Sequence, residues 1–290
     1  MIKDALGDRM KHNYEEVTKT RLTRRMPVII RLDGCHFHTV TRGFNKPYDK
    51  VLIRAMQETM KYLCENIQGC VLGYTQSDEI TLILVDYKEL NSDAWFDYET
   101  QKMVSVSAAL ATFAFNKFFT QAVNDFKTKT VVASSVSETQ EFTRQCEVYD
   151  KAIEKGAYFD SRVFNIPKEE VTNCVYWRQK DAERNSINSL AQSLFSHKSL
   201  QGLKLGETLT KIEQEGGIIW GNLPTTYKRG SCCIKQETVA ALNDDLSPVV
   251  KVEWIIDNEI PMFKGEDREY VDKLIYVGND DCIVKCTINV

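Results

Sequence analysis

Residues 27–38 read Pro27-Val28-Ile29-Ile30-Arg31-Leu32-Asp33-Gly34-Cys35-His36-Phe37-His38. Val28 to Leu32 is a short apolar run with two β-branched isoleucines, bounded by Pro27 and Gly34, which is the pattern of a strand buried on both faces. Asp33 falls at its C-terminal end. A carboxylate in that place, followed at once by glycine, can hold a hard cation while the next backbone N–H groups approach phosphate. On its own an Asp-Gly strand end is more often an ordinary turn, so the assignment depends on what the chain brings beside it.

Working outward, a loop marked by Gly43, Asn45 and Pro47 leads to Asp49, an N-cap for a helix whose apolar positions Leu52, Ala55, Met56, Met60, Leu63 and Ile67 follow the helical period. Gly69 closes that helix. Cys70 to Thr75 and Ile80 to Val85 then read as two strands around Gln76-Ser77-Asp78-Glu79, which puts Asp78 and Glu79 at a hairpin tip. Were the hairpin to pair with the first strand, backbones about 4.8 Å apart would bring the Asp33 and Asp78 carboxylates onto one pair of cations, a phosphoryl-transfer arrangement. Thr100 to Phe126 is a long helix whose aromatics suit a core and whose lysines and Asn116 speak against a membrane span.

Strand, helix, hairpin and helix give a β-α-β-β order. The fold class it predicts is α+β: a palm-type, ferredoxin-like antiparallel sheet with helices on one face and C-terminal α/β elaborations. Residues 1–150 are expected to form the palm-type core, and 151–290 to complete the same domain. In that second part Tyr158 to Ile166 is extended, and Pro167 starts a helix running to about Phe195. A short helix lies within Gly202 to Gly217, strand-like stretches cover Gly230 to Val239 and Pro248 to Ile256, and a last helix spans Arg268 to Leu274. Asp4 to Val17 has modest helical character, and Thr128 to Lys155 is polar and carries no assignment.

The composition, 43% hydrophobic and 27% charged over 290 residues, is that of an ordinary globular chain. The first residues hold no apolar run like a signal peptide, and no uninterrupted stretch is long enough for a bilayer, so a cytoplasmic protein without a membrane partner is expected. Nine cysteines, an odd number with no C-x-x-C pair, point to reduced thiols, although Cys282 and Cys286 lie four apart. Four histidines, none at finger spacing, leave no structural zinc site. His36 and His38 flank Phe37 and could reach a ligand. With a net charge of -4 and a pI near 5.7 there is no global positive field to draw nucleic acid, so any such binding would need a local patch, for which a solvated face is the plainer reading. The candidates are Lys19, Arg21, Arg24 and Arg25 ahead of the first strand, and Lys228-Arg229.

Six strings, in order, carry a resemblance: Arg31-Leu32-Asp33-Gly34 with Phe37-His38, Phe44-Asn45-Lys46-Pro47-Tyr48-Asp49, Tyr74-Thr75-Gln76-Ser77-Asp78-Glu79, Phe159-Asp160-Ser161-Arg162-Val163, Trp177-Arg178-Gln179 with Asp181, and Lys228-Arg229-Gly230-Ser231. Together they closely resemble the tRNA(His) guanylyltransferase family of 3′-to-5′ nucleotide polymerases. The resemblance implies that Asp33 and Asp78 ligate two Mg²⁺ ions with the Gly34 carbonyl, and that Glu79 is an adjacent acidic residue needed for activity. It further implies that Lys46 and Ser77 contact a nucleoside triphosphate, ATP or GTP, while the backbone of Gly34, Cys35, His36, Phe37 and His38 wraps the phosphates. A tRNA partner and a homotetramer follow from the same resemblance.

Two departures sharpen the expectation. Where the family commonly has Gly-Arg-Gly-Phe-His after the aspartate, this chain has Gly34, Cys35, His36, Phe37 and His38, so phosphate contacts there are mostly backbone. Where eukaryotic members carry His-Ile-Asn-Asn, this chain has Glu183, Arg184, Asn185 and Ser186, which makes it similar to the bacterial and archaeal branch of template-dependent tRNA repair enzymes. The expected function is a nucleotidyltransferase adding nucleotides to the 5′ end of truncated tRNA after ATP-dependent activation. The alternatives are untemplated guanylate addition to tRNA(His), a palm-fold nucleotide cyclase or small-molecule nucleotidyltransferase, and a non-catalytic RNA-binding protein with a relic metal site.

Overall fold

A computed structural model describes residues 4–89, 91–130, 136–242 and 248–276. Strands β1 (Val28–Gly34), β2 (Cys70–Gln76), β3 (Glu79–Leu84), β4 (Phe159–Asn165), β5 (Ser231–Leu242) and β6 (Pro248–Asp257) form one sheet in the order β4-β1-β3-β2-β5-β6. Every neighbouring pair is antiparallel. The first four strands therefore take the 4-1-3-2 order of the ferredoxin-like palm, and the β5-β6 hairpin lengthens the sheet at its β2 edge. Strands from both sides of residue 150 share this one sheet.

The helices are α1 (Ala5–Met10), α2 (Phe37–Val40), α3 (Lys50–Asn66), α4 (Thr100–Thr130), α5 (Val136–Lys155), α6 (Lys168–Leu194), α7 (His197–Leu200), α8 (Leu205–Gly216), α9 (Thr225–Arg229) and α10 (Glu269–Ile275). The Asp49 carboxylate starts α3 by accepting from the Leu52 N–H at 2.9 Å, as its capping chemistry predicts. Alternation along β1 sends Val28, Ile30 and Leu32 to one face, where they pack with Met56, Met60 and Leu63 of α3 and Met103, Phe115 and Phe119 of α4. Ile29 goes to the other face, with Leu72, Tyr74 and Ile83, and meets Val171 and Val175 of α6 and Val271 and Ile275 of α10.

The helices of the β-α-β-β core thus sit on one face, and the C-terminal elaboration covers most of the second. Over β4 that second face stays open, since Asp160, Arg162 and Phe164 are exposed.

Two stretches differ from the sequence reading. The polar segment left unassigned holds α5, whose Tyr149 and Ala152 are buried against the α4 side of the core. By length and composition Thr100–Thr128 of α4 is apolar enough to cross a bilayer, contrary to the expectation that no such stretch exists. Its Met103, Ala111, Phe115, Phe119 and Val123 are buried, so it serves as the core helix the aromatics implied. Cys35, Cys64, Cys70, Cys146, Cys174, Cys232 and Cys233 are free thiols, and Cys282 and Cys286 lie outside the described residues.

Candidate active site

The strand ends of β1 and β3 build the site. Asp33 is the ladder partner of Glu79, and the two-residue turn Ser77-Asp78 joins β2 to β3. Ser77 takes a left-handed φ of 50°, the conformation such tight hairpin turns require. The Gly34 N–H donates to the Asp78 carbonyl at 3.1 Å, which fixes the turn against the end of β1. Gly34 has to be glycine: a Cβ there would lie 2.2 Å from the Phe37 ring.

Asp78 is held above the usual carboxylate range. Burial is the main cause, opposed by the hydrogen bond from the Ser77 hydroxyl and reinforced by the negative charges of Asp33 and Glu79. Among the described residues neither Asp33 nor Asp78 forms an ion pair with a lysine, arginine or histidine. Two crowded carboxylates with no cationic partner are what a divalent cation would relieve. No three His, Cys, Asp or Glu side chains among the described residues converge to hold an ion unaided. Mg²⁺ needs only one or two carboxylates, with water and substrate phosphates completing its shell. Asp33, Asp78 and the Gly34 carbonyl therefore fit the group.

Glu79, the first residue of β3, is engaged by two arginines. Its carboxylate accepts from Arg178 at 2.5 Å and lies 3.6 Å from Arg31. Arg178 is 3% exposed and also pairs with Asp181 at 3.0 Å. Glu79 thus ties α6 to the sheet, with its oxygens committed to two guanidinium groups. A third carboxylate that sequence reasoning passed over stands on the opposite side: Asp160 is the β4 partner of Asp33, and the Cys35 thiol lies 3.9 Å from it. Burial, then the Asp160 charge, push the Cys35 thiol up, so it stays protonated. The signal was present in Phe159-Asp160-Ser161-Arg162-Val163, whose aspartate had been given no role.

Of the backbone donors expected to wrap phosphate, two are already in use. Gly34 N–H serves Asp78, and Cys35 N–H donates to the Tyr158 carbonyl at 2.9 Å. His36, at φ 54°, precedes the single helical turn of α2, whose Phe37 and His38 N–H groups have no intrahelical acceptor. Any backbone wrap is therefore confined to His36, Phe37 and His38. Both histidine rings are exposed, with centroids 6.2 Å apart.

Beside the carboxylates opens a cleft of about 140 Å³ that gathers Pro47, Tyr48, Gln76, Ser77, Asn185, Ser186, Lys228 and Arg229. Stretches far apart in sequence meet here. The Tyr48 and Tyr227 rings stack at 4.5 Å, and the Ser186 hydroxyl is shared by Tyr48 Oη at 2.8 Å and Trp220 Nε1 at 3.1 Å. Arg229 faces Glu183 at 3.8 Å, and Lys228 donates to the Gly221 carbonyl at 2.5 Å. Gly230, at φ 83°, lets the chain leave α9 and join the sheet, since a Cβ would sit 2.2 Å from the Thr75 carbonyl oxygen. Lys46 is exposed, next to the Pro47 that lines the rim.

Arg24 and Arg25 are not part of this assembly. They precede β1, at the end opposite Asp33, about 20 Å away at strand rise. There Arg24 pairs with Asp86 at 2.7 Å and Asp97 at 2.9 Å, and the Arg25 N–H donates to Asp86 at 2.9 Å.

Comparison with known proteins agrees with this geometry. A model of the tRNAHis guanylyltransferase (Thg1) family matches residues 7–167, more than half of the chain. An uncharacterized protein of Acanthamoeba polyphaga mimivirus is 30% identical over 81% of this chain and 79% of its own length. Two solved structures are similar over 94% of this chain and 100% of theirs. One is a bacterial tRNA(His) guanylyltransferase-like protein in complex with ATP, 37% identical with a TM-score of 0.75. The other is described likewise in complex with GTP, 36% identical with a TM-score of 0.71.

Proposed function

The chain belongs to the tRNA(His) guanylyltransferase family of nucleotidyltransferases, and on that premise we propose that it adds nucleotides in the 3′-to-5′ direction to the 5′ end of truncated tRNA, templated by the opposite strand. The observation that carries this reading is the pair Asp33 and Asp78, brought together by the Gly34 to Asp78 backbone hydrogen bond and without cationic partners among the described residues, next to Ser77 of the cleft lining. ATP and GTP are the nucleotides the relatives were solved with, and both are expected substrates here.

In the activation step an oxygen of the tRNA 5′-monophosphate attacks the α-phosphorus of ATP and pyrophosphate leaves. In the addition step the 3′-hydroxyl of an incoming nucleotide attacks the activated 5′ phosphorus, and AMP leaves with the proton passing to solvent. Mg²⁺ held by Asp33, Asp78 and the Gly34 carbonyl would offset phosphate charge and lower the pKa of the attacking oxygen. Ser77 and Lys46 orient the triphosphate, and the N–H groups of Phe37 and His38 meet its oxygens. Lys228 and Arg229 place positive charge on the cleft wall, with Arg229 steadied by Glu183. Glu79 acts by holding α6, and so the cleft wall bearing Asn185 and Ser186, against the sheet.

Template dependence is supported by the cleft's own chemistry. At the four positions where eukaryotic members have His-Ile-Asn-Asn, Glu183 is turned to Arg229, Arg184 to Asp181, and Ser186 to Tyr48 and Trp220. The Asn185 amide also donates to Asp181, at 3.5 Å, so all four side chains are turned to protein partners, which favours selection of the nucleotide by Watson-Crick pairing. A homotetramer, implied by the resemblance, and a cytoplasmic location, implied by the free thiols, complete the reading.

The test is extension of a tRNA lacking its first 5′ nucleotide, with Mg²⁺ and all four triphosphates, while the partner base on the 3′ strand is varied. The added nucleotide should follow the partner base and stop once the acceptor stem is paired. Guanylate added opposite adenosine as efficiently as opposite cytidine would return the untemplated role. Conversion of a lone nucleotide with no tRNA extended would favour the cyclase.

A further inference from the structure

On the second face of the sheet the strip over β4, open at Asp160, Arg162 and Phe164, runs beside Arg31 and, through it, Trp177 of α6; this trough lies outside the cleft described above. Its floor follows from the strand register. Asp33 stands opposite Asp160 and, two residues back, Arg31 stands opposite Arg162, so the arginine row lies about 7 Å behind the carboxylates on the same face. The Arg162 side chain is 58% exposed and meets Asp160 only at 3.8 Å. Trp177 of α6 forms the wall. Arg178 and Arg31 lie 4.6 and 5.6 Å from its ring, yet the indole remains 53% exposed. Arg31 Nε is buried without an acceptor.

An indole left half open beside a loosely held guanidinium, in line with carboxylates that handle phosphate, is the combination that holds an unpaired nucleic-acid strand. The ring stacks a base, and the arginine takes a phosphate. An apolar protein partner would leave Arg162 desolvated without a counter-charge, and an acidic peptide would have no use for the ring. We propose that this trough binds an unpaired segment of the RNA substrate, with Trp177 stacking one base and Arg162 contacting a phosphate. The proposal rests on the reading that a tRNA is the substrate, and it names the surface that receives the strand running to or from the reacting end.

The experiment measures binding of a short 5′-phosphorylated single-stranded RNA across a salt series, together with KM for truncated tRNA, ATP affinity and thermal stability. W177A should weaken RNA binding by roughly tenfold or more and W177F by only about threefold. R162A should flatten the salt dependence by about one unit of log slope. ATP affinity should be unchanged in all three variants. RNA should quench tryptophan fluorescence in the wild type, and W177F should lose most of that quench. RNA affinities of W177A and R162A equal to wild type would overturn the proposal. So would a W177F defect as large as that of W177A with a lowered melting temperature, because that marks a packing role. If the trough variants behave as expected but the wild type extends no tRNA, the function reading falls and the trough stands. If extension is intact and KM for tRNA is unmoved in W177A, the trough falls and the function stands.

Discussion

The two ends of the β1-β3 pair carry similar amounts of charge and treat it in opposite ways. At one end Asp86, fully buried, accepts from the Arg24 guanidinium and the Arg25 backbone, while Asp97 takes a second Arg24 nitrogen and Arg21. The carboxylate of Asp86 lifts the Arg24 guanidinium above its ordinary value. At the other end Asp33 and Asp78 crowd together with no cation between them, and Asp78 is pushed up by burial and by its neighbours. One end is paired as folded, and at the other the two aspartates have no lysine, arginine or histidine partner among the described residues. Charge density along the sequence marked both ends alike, and only the pairing separates them.

The largest effect expected from breaking this contrast is at the open end. Asp33→Ala or Asp78→Ala should cut single-turnover nucleotide addition on the order of a thousandfold while the protein stays folded. Mg²⁺ should raise the melting temperature of the wild type and of neither variant. Turnover within tenfold of wild type under saturating Mg²⁺ would mean the carboxylates do not share the ions.

Next comes the buried network that joins the two halves. Arg178→Met leaves Glu79 with Arg31 alone and should cost roughly 3 kcal/mol in chemical denaturation, with part of it recovered when Glu79→Gln is added. No loss of stability would show that α6 is held by its apolar contacts alone. At the closed end Arg24→Ala should cost about 2 kcal/mol, because Asp86 stays buried and loses a charged donor. RNA affinity across a salt series should be unmoved. A weaker affinity with a flatter slope would make Arg24 an RNA contact after all.

The smallest effect concerns pH. Because the folded state holds the Asp78 proton more tightly than the unfolded chain, folding takes up a proton between the ordinary value near 3.8 and the raised one. Stability therefore falls as pH rises through that window and stays lower above it. Asp78→Asn, measured without Mg²⁺, should be more stable than wild type at neutral pH, and the advantage should fade toward acid. An advantage that grew on acidification would contradict the assigned sign.

Much of this was legible in the sequence for local reasons. The apolar run before Asp33, the Asp49 cap and the Ser77-Asp78 turn are each specified within a few residues, and their chaining gives the 4-1-3-2 sheet. What stayed hidden depends on partners distant in sequence. The pairing of Arg24 and Arg25 with Asp86 and Asp97, more than sixty residues on, is one such case. The pairing of Glu79 with Arg178, 99 residues away, is visible only in the fold. The α5 helix was obscured by its polar surface, since Tyr149 and Ala152 are a sparse apolar stripe, and Tyr149 closes onto the Asp49 carboxylate at 2.7 Å.

The position of β1 and β3 inside the sheet also has a dynamic consequence. Each is hydrogen-bonded on both sides, β1 to β4 and β3, and β3 to β1 and β2, so their amides are the ones expected to exchange with solvent only through global opening. The far wall of the cleft is different in kind, because Lys228 and Arg229 ride on the five-residue helix α9. That helix can fray in a local fluctuation far cheaper than unfolding. Asp33 thus lies on the slowest-exchanging part of the molecule and Asp78 one residue outside β3, while the wall across the cleft is free to breathe.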